Sequence, residues 1–178
     1  MKKKKFVPQA QQHQDYIILE ISATLEDYRM AFELNRMPQL QLQRGEDLLV
    51  YGGTKTPPDS YSLYFFQAEN TTYYLIHNLA NDFTLMKSYF LIMEGHADEQ
   101  WQQNLADHLE QTGDVLAVNF VDPCQSIDGK GSSKKKLQLV TAILTDLEYH
   151  MLEVKKKSEE QKVQPKQGLK TNVRKLYD

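Results

Sequence analysis

Five histidines, one cysteine and a spread of acids are the side chains here that could hold a metal or move a proton. His13, His77, His96, His108 and His150 show no His-x-His or His-Glu-x-x-His spacing, which would set two ligands on one face of an element. Asp146 and His150 stand four apart on a helical stretch and could share a metal, but a solvated polar pair is the simpler reading. His108 falls at a helix edge. Cys124 follows Pro123, and a nucleophilic thiol needs a base and a lowered pKa that no partner motif supplies. No Gly-x-Ser-x-Gly elbow occurs. Gly129-Lys130-Gly131-Ser132-Ser133-Lys134 has the residue types of a phosphate loop without the Walker spacing, so a flexible linker is expected. These residues point to no catalytic group, no cofactor and no metal.

Two other patterns bear on binding. Tyr61, Tyr64, Phe65, Phe66, Tyr73 and Tyr74 could stack bases, as single-strand binders do. Such faces interleave lysine and arginine with the rings, whereas residues 60–78 contain neither and Glu69 is their only charge, so cross-strand packing is expected. Leu137, Val140, Leu144, Leu147, Met151 and Val154 repeat at alternating steps of three and four, the seam spacing of a coiled coil. Ile143 and Leu139 widen that stripe at its start. The seam either docks on the chain's own sheet or serves self-association or capture of a partner helix.

The elements that would position these groups follow from patterning. Residues 1–13, a lysine run followed by glutamines, are expected to be disordered. Tyr16 to Ile21 is a β-branched apolar run, a buried strand, leading into a helix capped by Thr24 and ending at Met37 before Pro38. Leu25, Tyr28, Ala31, Phe32 and Asn35 form one stripe of that helix, and Met30, Leu34 and Met37 a second; Glu26–Arg29 and Glu33–Arg36 are favourable pairs three apart. Gln39 to Gln43 alternates as a half-buried strand, with a turn at residues 44–47 and a return strand at 48–51. Tyr61 to Phe66 and Thr72 to Asn78 form a hairpin, and Asn81-Asp82 turns the chain into a strand over 88–93. Asp98 caps a helix closed by Gly113, and Val115 to Val121 is a further strand. The strand, helix and strand from 88 to 121 make a parallel crossover unit. The sum is an α+β domain over 14–123 with a single, mostly antiparallel sheet packed by two helices. A linker over 124–136, a long amphipathic helix over 137–157 and a basic flexible tail over 158–178 complete the chain.

Composition bounds the function. Of 178 residues, 40% are hydrophobic and 25% charged, as in one ordinary globular domain with appendages. No apolar run approaches the roughly 20 residues that span a bilayer, and the opening lysines lack the apolar middle of a signal peptide. The lone cysteine excludes an internal disulfide and fits a reducing cytoplasm. A net charge of −3 hides an asymmetry: residues 155–178 carry +5, Lys2 to Lys5 carry +4, and residues 6–154 carry −12. Nucleic acid would therefore be repelled by the body and could bind only through the basic termini.

Leu25-Glu26-Asp27-Tyr28-Arg29, followed by Ala31 and Leu34-Asn35, resembles the opening of the bacterial IPExxxVDY family. The Ser62 to Phe66 strand, Tyr73-Tyr74-Leu75-Ile76, Tyr89-Phe90-Leu91-Ile92 and the closing Gly113 to Pro123 are also similar to that family, and together the resemblance covers roughly residues 15–125. The naming motif falls on Asn81 to Tyr89, where only Tyr89 matches and Asn81, Asp82, Phe83, Lys87 and Ser88 replace its other residues. The resemblance implies a divergent member and brings no catalytic residue with it. It singles out Glu26, Asp27, Tyr28 and Arg29 as a polar patch of functional interest.

The resulting expectation is a non-enzymatic cytoplasmic interaction or assembly module, self-associating or binding a protein partner through Leu137, Val140, Leu144, Leu147, Met151 and Val154. The competing expectations are a nucleic-acid or ribosome-associated protein using its basic ends, and a small enzyme with an unrecognised site.

Overall fold

The computed structural model describes residues 16–51, 57–79, 85–122 and 132–163. Among these residues, seven strands and three helices follow one another as β1 (Tyr16–Ala23), α1 (Asp27–Leu34), β2 (Gln43–Arg44), β3 (Leu48–Val50), β4 (Asp59–Gln67), β5 (Thr71–Asn78), β6 (Lys87–Gly95), α2 (Glu99–Glu110), β7 (Val115–Val121) and α3 (Ser132–Val163). The strands form one sheet in the order β2-β4-β5-β6-β1-β7, with β3 beside β2 on the outer side of β4. Every pairing in it is antiparallel. The expected α+β class with a long C-terminal helix is what the chain adopts.

The central strands read as continuous apolar runs because both faces of the sheet are covered. On one face Leu19, Ile21, Tyr73, Leu75, Tyr89 and Leu91 meet Met30, Ala31 and Leu34 of α1 and Leu105 and Leu109 of α2. On the other, Ile18, Leu63, Ile76, Phe90 and Ile92 meet Val140, Ile143, Leu144 and Leu147 of α3. The alternation Ile18/Leu19 or Ile76/Leu75 thus divides each strand between two cores.

Several local expectations are corrected. The first helix starts at Asp27, not Thr24, because Thr24 is held to the start of β7: its N–H and its hydroxyl both reach Asp114. It ends at Leu34 with Asn35 as its C-cap, so Met37 lies in a turn outside it. Tyr28 and Phe32 face solvent instead of the core, since only Met30, Ala31 and Leu34 point at the sheet. Residues 39–43 bury Leu40 and Leu42 as the alternation predicts, but only Gln43 and Arg44 pair with a strand. Residues 44–47 are not a hairpin turn. Both β2 and β3 run antiparallel to β4, so they are one edge strand interrupted by a bulge that shifts the register by one residue. The Gly45 N–H and the Arg44 guanidinium both bond the Leu63 carbonyl there, at 2.8 and 3.1 Å.

The β4–β5 hairpin and α2 form as expected, with Asp98 at the N-cap position of α2 although its side chain makes no capping bond; the last turn of α2 closes at Gln111 before Gly113. Strands β6 and β7 point the same way, as a crossover requires, but β1 is inserted between them and pairs antiparallel with both. Gly95 ends β6 with φ +104°, and a Cβ there would stand 2.4 Å from the Asn70 carbonyl oxygen, so only glycine fits beside the β5 start.

Helix α3 is longer than expected at both ends. Residues 132–136 of the expected linker and 158–163 of the expected tail are helical, because a run of lysine, glutamate and glutamine without glycine or proline propagates a helix once it is nucleated. The termini at 1–13, Cys124, Gly129 to Gly131 and the rest of the tail lie outside the described residues.

Candidate functional site

The seam of α3 is placed first, because the sequence singles it out. Val140, Leu144 and Leu147 are buried against the sheet of the same chain, while Leu137, Met151 and Val154 are half-buried at the two ends. Polar ties fix the helix along its length. Lys136 pairs with Glu20 of β1, the Tyr16 hydroxyl donates to Glu148 at 3.0 Å, and Asp146 accepts the Tyr51 N–H at 2.8 Å. Lys157 pairs with Glu46 in the edge bulge at 3.1 Å. The seam is therefore intramolecular core over its middle, and any partner of α3 would meet its outer face, where Tyr149 and Leu152 are exposed.

The Glu26–Arg29 patch resolves into separate contacts. Glu26, at the N-cap of α1, pairs with Lys87 of β6, whose side chain is only 2% exposed although that of Glu26 is 52% exposed. Burying the ammonium requires such a partner, since an unpaired charge in the core is costly. Asp27 accepts the Tyr28 N–H at 2.7 Å, and with burial as the larger cause its charge pushes the Tyr64 hydroxyl up from its usual range. Arg29 lies over the Tyr28 ring, 5.9 Å from the centroid, rather than against Glu26.

Around Lys87 the structure collects polar residues that spacing did not bring together. His77 is buried with its Nδ1 2.9 Å from the Ser88 carbonyl and its ring 4.6 Å from that of Tyr89. A carbonyl only accepts, so Nδ1 carries the proton. The Tyr89 hydroxyl donates to the Leu25 carbonyl at 2.6 Å, and Ser62 sits directly across β4–β5 from His77. A serine–histidine nucleophile pair needs a hydrogen bond between the two, and the Ser62 Oγ makes none. The cluster ties α1 to the sheet. A signal for it lay in the sequence: Lys87, Tyr89, Leu91 and Met93 share one phase of a period-2 strand, which sets Lys87 on the buried side.

Among the clefts that flank α3, two hold polar groups singled out above. One, of about 420 Å³, lies between its first turns and the sheet, with Tyr61, Asn78, Ser88 and Phe90 opposite Lys135 and Lys136. Asn78 donates to the Tyr61 hydroxyl at 3.1 Å and Lys136 is held by Glu20. The other, of about 270 Å³, lies beside β3 and contains Asp146 and His150. Its Asp146, Glu46 and Asp47 are bonded to Tyr51, Lys157 and Arg44. Among the described residues no group of three or more His, Cys, Asp or Glu side chains is placed to hold a metal. No described helix is long and apolar enough to cross a membrane.

The two sheet edges differ. The β2–β3 edge carries Arg44, Glu46 and Asp47 and is broken by its bulge, features that discourage edge-to-edge pairing. Strand β7 pairs with β1 on one side, and on the other it meets no strand among the described residues. Its sequence, Val115-Leu116-Ala117-Val118-Asn119-Phe120-Val121, holds no charge, and Leu116 and Phe120 are 58% and 54% exposed.

Compared with protein-family models, curated proteins and solved structures, the chain matches none of them.

Proposed function

We propose that this chain is an interaction and assembly module of the cytoplasm, a divergent member of the IPExxxVDY family that works by associating with protein. The observation that carries this reading is β7, an uncharged seven-residue strand at the end of the sheet with two large apolar side chains in solvent. Backbone groups that meet no strand among the described residues, beside exposed leucine and phenylalanine, are a template for another strand, and soluble domains normally guard such an edge with charge or proline. The docked seam of α3 moves the expected contact surface from the helix to the sheet edge. Sedimentation equilibrium of the full chain tests the reading: mass should exceed that of one chain and rise with concentration. A monomer at every concentration sinks it.

A further inference from the structure

We infer that the occupant of the β7 edge is β7 of a second copy, paired antiparallel about a twofold axis beside Val118, so that two sheets become one. The inference rests on the assembly reading above and names its partner.

The pattern of the strand is self-complementary. Antiparallel pairing about Val118 sets Leu116 opposite Phe120, Ala117 opposite Asn119 and Val118 opposite itself, with Val115 beyond the bulge and outside the pattern. A twofold interface requires such reciprocity, because each contact of residue i with j is repeated as j with i. The two large exposed apolar side chains of the strand then cover each other twice, leucine on phenylalanine, the cross-strand combination of aliphatic and aromatic that sheets favour. No like charges are brought together within the strand, since it has none. The register shift against β1 sits at the Val115 end and leaves Ala117–Val121 in unbroken register. The opposite edge of the sheet carries Arg44, Glu46 and Asp47, charges that β7 lacks, and would not serve in its place.

The pairing predicts distances. Facing Cα atoms in an antiparallel ladder stand about 4.5–5.5 Å apart, within the span that a disulfide bridges. In a Cys124→Ser background, Val118→Cys should therefore cross-link to its own copy under mild oxidation. Leu116→Cys mixed with Phe120→Cys should give the heterodimeric cross-link in preference to either homodimer. Separately, Leu116→Lys combined with Phe120→Lys sets lysine against lysine twice, and the dissociation constant should rise at least about a hundredfold. Both positions are exposed, so the circular dichroism spectrum should stay that of the parent.

A wild-type dimer that the double lysine variant leaves intact, or that cross-links through Tyr149→Cys and not through Val118→Cys, overturns the inference while the assembly reading stands. A cross-link at Asn119→Cys in place of Val118→Cys overturns the twofold register. A wild-type monomer up to about 1 mM, with the edge covered by the chain's own residues, overturns both.

Discussion

Asn35 and Leu42 are bonded to each other twice: the Asn35 carboxamide accepts the Leu42 N–H at 2.7 Å and donates to the Leu42 carbonyl at 3.0 Å. A side chain just past α1 thus fills the place of a strand neighbour, which is how Leu40 and Leu42 enter the core without a ladder. Asn35→Ala strips both partners from a partly buried peptide and should cost about 1–3 kcal/mol. Asn35→Asp retains only the acceptor and should lose less. Urea unfolding midpoints check this; two unchanged midpoints would show the pair to be idle.

The Glu26–Lys87 pair is asymmetric, with the lysine buried and the glutamate half in water. Glu26→Ala leaves the ammonium without its carboxylate and should destabilise by about 1–3 kcal/mol, held down by solvent screening at the exposed end. Lys87→Met removes the charge itself, keeps the chain length, and should cost less or stabilise. Thermal unfolding of the two variants should rank them in that order.

Leu144 and Tyr149 lie on opposite sides of α3, one buried and one exposed. With the helix docked, Leu144→Ala opens a cavity and should cost about 2–5 kcal/mol, while Tyr149→Ala should stay within about 0.5 kcal/mol. Equal, small effects in denaturant unfolding would mean that α3 does not belong to the folded body.

Alkali should unfold this domain through its tyrosines. Burial, with the Glu94 charge and the hydrogen bond to Glu148, pushes the Tyr16 hydroxyl far above its ordinary range, and burial with the bond to Glu94 does the same for Tyr74. Burial also raises Tyr61, Tyr64 and Tyr73. The folded chain therefore keeps protons that the unfolded chain releases near the ordinary value of about 10. The stability these groups contribute is whole below that pH and falls as pH rises past it. Urea midpoints measured between about pH 9 and 11 should decline, and Tyr16→Phe with Tyr74→Phe should flatten the decline.

Much of the fold was legible in local pattern. The Tyr61–Phe66 and Thr72–Asn78 runs announced the β4–β5 hairpin, Asp98 the start of α2, and the stepped leucines and valines an apolar stripe on α3. Period-2 alternation acts between residues a few positions apart, so the sequence alone determines it, whereas the expected Thr24 cap gave way to a tie to Asp114. What that stripe covers is a different matter. An apolar face gains about the same on any apolar surface, so spacing cannot tell a partner helix from the chain's own sheet. Only the folded sheet, with Ile18, Leu63, Ile76 and Phe90 turned away from α1 and α2, settled α3 on its second face.

The sites follow the same division. The sequence drew attention to Glu26 and the phase of β6 sets Lys87 on its buried side, but that the two, 61 residues apart, meet depends on β6 lying beside β1 under α1. It displayed Val115 to Val121 as a strand, and its lack of charge was plain to read. That this strand comes last in the sheet among the described residues was decided when β1 took the place between β6 and β7, a choice of long-range pairing that no local signal encodes.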